Sequence, residues 1–163
     1  MRTITTLAAM AGLMSAGAAI AGPAGQVSGN GMLEKGRNFS VSARINADGT
    51  ASGHATLINK AYSGDSGHGP YMLQVDVSCG KMLDDHTAIL GGMTRKTNDS
   101  SLVDAVYFAV QDNGEPGAMK DMVSRAYFFD DDPATTGDPA LCLGSTLTDL
   151  ALETIATGNI QVK

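Results

Sequence analysis

Residues 39–57 of this chain have the sequence FSVSARINADGTASGHATL. Small or apolar residues occupy every second position on both sides of a central Asn-Ala-Asp-Gly, and polar or basic residues occupy the positions between them. Because side chains alternate between the two faces of a strand, this period of two predicts two half-buried β-strands. The Asp48-Gly49 pair supplies turn chemistry between them. The segment therefore predicts a β-hairpin.

Alternation or short apolar runs recur along the rest of the sequence. We predict further strands over residues 26–33, 71–79, 87–94, 105–111, 122–129 and 158–162. Residues 122–129 could form a strand or a helix, although their aromatic residues favour a strand. Gly91-Gly92 indicates a bulge or a sharp bend inside its strand. Thr146 and Asp149 have capping-box spacing, which allows one or two helical turns.

About eight strands with mostly short connections predict an all-β fold. We expect a single antiparallel domain, either a barrel or a sandwich. The abundance of glycine (20 residues) and of aspartate over glutamate (14 against three) agrees with a protein rich in turns.

The first residues predict a cleaved secretory signal. Arg2 gives a positive start, residues 7–21 are small and apolar without charge, and Ala19-Ile20-Ala21 fits a signal-peptidase site. The apolar run is shorter than the roughly 20 residues of a membrane helix. We therefore expect residues 1–21 to be removed, leaving residues 22–163 as one exported β domain, periplasmic or secreted, without stable membrane insertion.

The charge of the predicted mature chain is negative. Without Arg2, ten basic and 17 acidic residues remain, a formal charge of −7. Phosphate contacts need clustered lysine and arginine, so this balance argues against a nucleic-acid partner.

Cys79 and Cys142 are the two cysteines of the chain. A lone pair in an oxidising compartment predicts one disulfide bond. Two free buried thiols are the alternative.

The best candidate for a metal site is an acidic turn. Asp112, Asn113 and Glu115, with Asp121 six residues further on, offer hard oxygen ligands of the kind calcium takes. The pattern is not that of an EF-hand. The alternative is a hairpin turn whose side chains cap their own backbone.

Catalytic candidates are sparse. Gly64-Asp65-Ser66-Gly67 resembles the segment around a serine-protease nucleophile, but the predicted domain is too small for that fold, and a flexible loop is favoured. His54, His68 and His86 match no compact metal-ligand spacing. A hydrolase using histidine and aspartate residues is an alternative, and it predicts a concave pocket that holds two or more of His54, His68, His86 and nearby acidic residues.

Several motifs together resemble a group of small exported bacterial proteins whose activity is not established. They are VDVSC (75–79), AILGGMTR (88–95), VQDNGE (110–115) and GNIQV (158–162), in addition to the hairpin around Asp48-Gly49. The resemblance implies an exported β domain and supplies no catalytic residues. We therefore expect a non-enzymatic module that binds an unknown ligand or envelope partner, or has a structural role in the envelope, with no cofactor except calcium as an alternative.

Overall fold

The computed structural model describes residues 23–61, 70–114, 120–129 and 135–163. Within them, all strands are antiparallel neighbours in one sheet of order β8-β7-β6-β5-β4-β3-β2-β1-β9. The strands are β1 (Pro23–Met32), β2 (Arg37–Asn46), β3 (Thr50–Asn59), β4 (Tyr71–Asp84), β5 (Thr87–Thr97), β6 (Ala105–Gln111), β7 (Met122–Ser124), β8 (Leu152–Thr154) and β9 (Thr157–Val162). Three short 3-10 helices span Glu34–Gly36, Ser100–Leu102 and Pro139–Leu143.

The prediction of an all-β antiparallel domain is confirmed. The described residues form nine strands rather than about eight, and one sheet curled into a half-barrel rather than the two sheets of a sandwich. The additional strand is β8, which lies where the sequence suggested helical turns. Thr146 and Asp149 form only a single turn, in which the Asp149 carboxylate accepts hydrogen bonds from the Thr146 backbone N–H at 2.8 Å and hydroxyl at 2.7 Å.

The hairpin of β2 and β3 forms as its sequence predicts. Its register pairs Val41 with Ala55, and the apolar positions of β2 are buried while those between them are exposed. Gly49 adopts a φ of 85°, a left-handed conformation that suits glycine. The Asp48 carboxylate accepts a hydrogen bond from the Thr50 backbone N–H at 2.9 Å, which fixes the turn.

The two edges of the curled sheet are tied together near the end of the sequence. β8 pairs with β7, whereas β9, two residues further along, pairs with β1 on the opposite edge. Two carboxylates from the β6–β7 region strengthen this link. Asp121 accepts the backbone N–H of Ile160 at 2.7 Å, and Asp112 accepts that of Val162 at 3.2 Å. Donors of β9 that would otherwise form an unpaired sheet edge are thereby satisfied.

A bulge lets the sheet bury both of its faces. The pairing of β4 with β5 shifts between Val77 and Cys79, so the extra residue lies in β4, opposite Gly91-Gly92, and not in the glycine strand where a bulge or bend was predicted. Val77 packs in the inner core, whereas Cys79 packs in a second cluster with Tyr107 and Cys142. The Cys79–Cys142 disulfide, as predicted from the sequence, joins residues 63 positions apart and holds the 3-10 helix Pro139–Leu143 against the sheet.

Residues 122–129 are extended only in part. β7 ends at Ser124, and Tyr127 makes an isolated bridge to Tyr107. The Ala109 backbone N–H of β6 donates to the Ser124 hydroxyl at 2.8 Å and not to a backbone carbonyl. This hydrogen bond ends the ladder between β6 and β7.

The inside of the half-barrel is filled. Large apolar side chains including Phe39, Leu73 and Phe108 meet there and leave a void of only about 40 Å³. This volume is far below the roughly 300–1,000 Å³ of sites for small organic ligands.

Candidate functional site

One end of the half-barrel carries an open cleft of about 680 Å³. It is bounded by the turn that joins β1 and β2, by the ends of β3 and β4, and by the residues that follow β7 together with β8. Its lining includes the charged residues Glu34, Lys35, Arg37, Arg125 and Glu153 and the apolar residues Leu33, Leu57, Tyr71, Leu102, Ala126 and Phe128. The volume lies in the range of sites for small organic ligands, roughly 300–1,000 Å³.

The floor of the cleft is apolar. Leu33 and Tyr71 are buried, and Leu57, Leu102 and Phe128 are partly buried against the inner core. Apolar side chains that pack on the core therefore also form a surface that solvent can reach. Such a surface suits the non-polar part of a ligand.

The rim of the cleft carries a charged cluster that spans the opening of the half-barrel. Both terminal nitrogens of Arg37, on β2, donate to the two carboxylate oxygens of Glu153, on β8. Arg125 donates through Nε to the same carboxylate at 2.5 Å. The hydrogen bond from Arg37, supported by that from Arg125, lowers the pKa of the Glu153 carboxyl from 4.5 to about 2. The carboxylate is therefore ionised at neutral pH.

The members of this cluster differ in exposure. The side chains of Arg37 and Glu153 are 16% and 27% exposed, whereas that of Arg125 is 67% exposed. Arg37 and Glu153 therefore form a fixed, partly buried pair, and Arg125 presents most of its guanidinium to solvent. Lys35, also on the rim, is held at φ 61°, and it is the single non-glycine residue with positive φ in the described part of the chain.

The predicted calcium ligands come together only in part. Asp112, Asn113 and Asp121 are neighbours, and Glu115 lies outside the described residues. Each Asp121 oxygen accepts a backbone N–H, from Asn113 at 2.9 Å and from Ile160 at 2.7 Å. Asp112 likewise accepts Gly114 and Val162. These oxygens serve the turn and the strand edge, and calcium binding there stays a prediction.

The two histidines in the described ranges, His54 and His86, lie on different parts of the sheet. His54 lies on the outer face of β3, where Nδ1 is 3.0 Å from Asp76 and the ring is 70% exposed. His86 is exposed in the turn between β4 and β5. His68 and the Gly64–Gly67 segment lie outside the described residues. Among the described residues, no group of three or more histidine, cysteine, aspartate or glutamate side chains is placed to hold a metal ion.

Sequence reasoning missed the cleft and its charged cluster. Arg37 and Glu153 are 116 positions apart, and neither belongs to a recognisable motif. A weak signal was present, because Glu153 is one of only three glutamates in a chain with 14 aspartates.

Comparison of the chain with protein-family models, curated proteins and solved structures finds no match. In the described ranges, no helix is long and apolar enough to span a membrane.

Proposed function

We propose that this protein is an exported, non-enzymatic binding module that takes a small amphipathic ligand in the cleft between the β1–β2 turn and β8. The observation that carries the proposal is the combination of a filled interior with a 680 Å³ cleft that has an apolar floor and a charged rim. Binding sites typically join a mostly apolar lining to a few fixed polar groups. Export is part of the proposal and is supported by the predicted signal and by the disulfide.

The Arg37–Glu153 pair gives the cleft a preformed shape. It joins two strands from opposite sides of the opening through two hydrogen bonds, and such bidentate pairs fix geometry as well as charge. A site held in this way loses little conformational freedom when a ligand binds, which favours affinity.

The test uses a fluorescent probe without charge, N-phenyl-1-naphthylamine. The probe is excited at a wavelength that tryptophan does not absorb, so its emission can be compared between the wild-type protein, which has no tryptophan, and variants that contain one. We expect emission to rise when the probe binds the wild-type protein. Ala126→Trp, which places a large side chain in the cleft, should abolish the rise, and Ser52→Trp, on an exposed position of β3, should leave it intact.

Circular dichroism must show that both variants are folded. If Ala126→Trp does not fold, amide chemical-shift mapping on the wild-type protein replaces it, with the largest changes expected at Leu57 and Phe128. No rise in emission, an equal rise in folded Ala126→Trp, or shifts away from the cleft would reject the proposed site.

A further inference from the structure

The cleft has the opposite charge balance to the chain as a whole. The full chain has 11 basic and 17 acidic residues. The cleft is lined by three basic residues, Lys35, Arg37 and Arg125, and two acidic residues, Glu34 and Glu153. Its formal charge is therefore +1, whereas that of the chain is −6. A positive site on a negative protein attracts anions selectively, because the surrounding surface repels them.

Arg125 has donors to offer a ligand. Its Nε is engaged by Glu153, and its terminal nitrogens make no hydrogen bond to any residue in the described part of the chain. The side chain is 67% exposed and lines the cleft. A guanidinium can bind a carboxylate through two parallel N–H donors, so one edge of Arg125 remains suited to a second carboxylate beside Glu153.

The cleft that Arg125 lines is also lined by apolar side chains. Phe128 follows Arg125 by three residues and lines the same cleft, as do Leu33 and Leu57. A ligand that fits both features has a charged head at Arg125 and a non-polar body on these side chains.

We infer that the ligand of the cleft is an amphipathic monoanion, a molecule with one carboxylate and an aliphatic or aromatic body, and that Arg125 is the residue that selects its charge. This inference rests on the proposed function. A single negative charge matches the formal +1 of the cleft, and the hydrogen bonds to Glu153 show that the two arginines already bind one carboxylate. Glu153 opposes the ligand electrostatically. Glu153→Gln removes this charge but keeps an amide oxygen that can still accept a hydrogen bond from Arg37, so the shape of the cleft is retained and binding should strengthen.

The experiment compares three probes that share an eight-carbon chain, and acetate as a headgroup alone, by isothermal titration calorimetry. Octanoate carries the head and the body, octan-1-ol lacks the charge, octyltrimethylammonium reverses it, and acetate lacks the body. We expect octanoate to bind about tenfold more tightly than octan-1-ol, since a hydrogen bond to a charged group contributes roughly that factor. Octyltrimethylammonium should bind more weakly still, and acetate should not bind measurably.

Three variants identify the selecting residue. Arg125→Gln should weaken octanoate binding about three- to tenfold, a reduced effect because the group is largely exposed, and leave octan-1-ol binding unchanged. Glu153→Gln should strengthen octanoate binding. Arg44→Gln, which removes an exposed arginine from the outer face of β2, is the matched control and should change neither affinity.

The outcomes separate this inference from the proposed function. If no probe of any charge binds, both fail. If octan-1-ol or octyltrimethylammonium binds as tightly as octanoate, or if Arg125→Gln and Arg44→Gln behave alike, the cleft remains a ligand site and the monoanion inference is overturned. Where Glu153→Gln does not fold, the comparison of Arg125→Gln with Arg44→Gln decides the question alone.

Discussion

Replacing Asp121 with alanine should open the link between the two edges of the sheet. The Asp121 side chain is only 4% exposed. Its carboxylate accepts the backbone N–H of Ile160 on β9 at 2.7 Å and that of Asn113 at 2.9 Å. Alanine leaves both donors without their acceptor, and the Ile160 donor lies where water does not reach, because Ile160 is fully buried.

The magnitude follows from the cost of an unsatisfied donor. A buried donor without a partner costs about 1–3 kcal/mol. We assign ~2 kcal/mol to the Ile160 donor and ~1 kcal/mol to the more accessible Asn113 donor, so Asp121→Ala should lower the free energy of unfolding by about 3 kcal/mol. For a domain of this size, that corresponds to a fall in melting temperature of roughly 10 °C. Asp121→Asn should cost about half as much, because its amide keeps one acceptor oxygen.

The assay is urea unfolding followed by circular dichroism, combined with hydrogen exchange of the Ile160 amide. Exchange at Ile160 should accelerate in Asp121→Ala even under conditions where the protein remains folded. Asp85→Ala, which removes an exposed aspartate from the β4–β5 turn, is the control and should change stability by less than ~0.5 kcal/mol. A loss below ~0.5 kcal/mol in Asp121→Ala, with unchanged Ile160 exchange, would falsify the role assigned to this carboxylate.

Two further predictions concern the charged cluster and the second core. The pKa of Glu153 is about 2 in the folded protein, and its ordinary value is 4.5. The stabilisation that this carboxylate provides should therefore be fully present above pH 4.5 and lost as the pH falls toward 2. Because solvent screens the group in part, we expect this loss to be ~1 kcal/mol of unfolding free energy, measured by urea unfolding at several pH values. Gly91→Ala should lower the free energy of unfolding by about 1–3 kcal/mol, because its Cβ would lie 2.7 Å from the Pro139 carbonyl oxygen and 2.8 Å from Cys142 Cβ.

Each of these predictions has a matched control. Glu153→Gln should be less stable at neutral pH and should lose the stability change between pH 4.5 and 2 that belongs to this carboxyl; an unchanged profile contradicts the argument. Gly144→Ala is the control for Gly91→Ala. The nearest atom to the added Cβ at position 144 is the Leu141 carbonyl oxygen at 3.6 Å, an ordinary contact distance. If the two glycine variants have equal stability, the close packing at Gly91 is not the cause of its cost.

Local patterns predicted most of the sheet because they act over short distances. Alternation along residues 39–57 placed β2 and β3, and the apolar run of residues 105–111 placed β6 with its correct bounds. β6 lacks alternating polar residues because both of its faces are buried. One face packs in the inner core, and the other packs in the second cluster, which contains Cys142. The period-two rule therefore fails there, although the run length still identifies a strand.

The candidate site could not be predicted because it depends on long-range closure of the sheet. Arg37 meets Glu153 only when β2 and β8 face each other across the opening of the half-barrel. The three residues of β8 are too few for a periodic signal, and their position is set by pairing with β7 and by the link to β9. Asp112 and Asp121 illustrate the same difficulty. Their spacing in the sequence suggests metal ligands, but the backbone N–H groups of β9 that they bind lie 50 and 39 positions away and cannot be predicted from local spacing.

The pairing of β1 with β9 has a consequence for the order of events during biosynthesis. Val27 pairs with Val162, so almost the whole described chain must be made before the two edges can meet. Pairings between distant residues form slowly, because the entropy of closing the intervening chain must be overcome first. The sheet of the nascent chain therefore stays open until its last strand has been made, and such a delay before closure would suit the export that we propose.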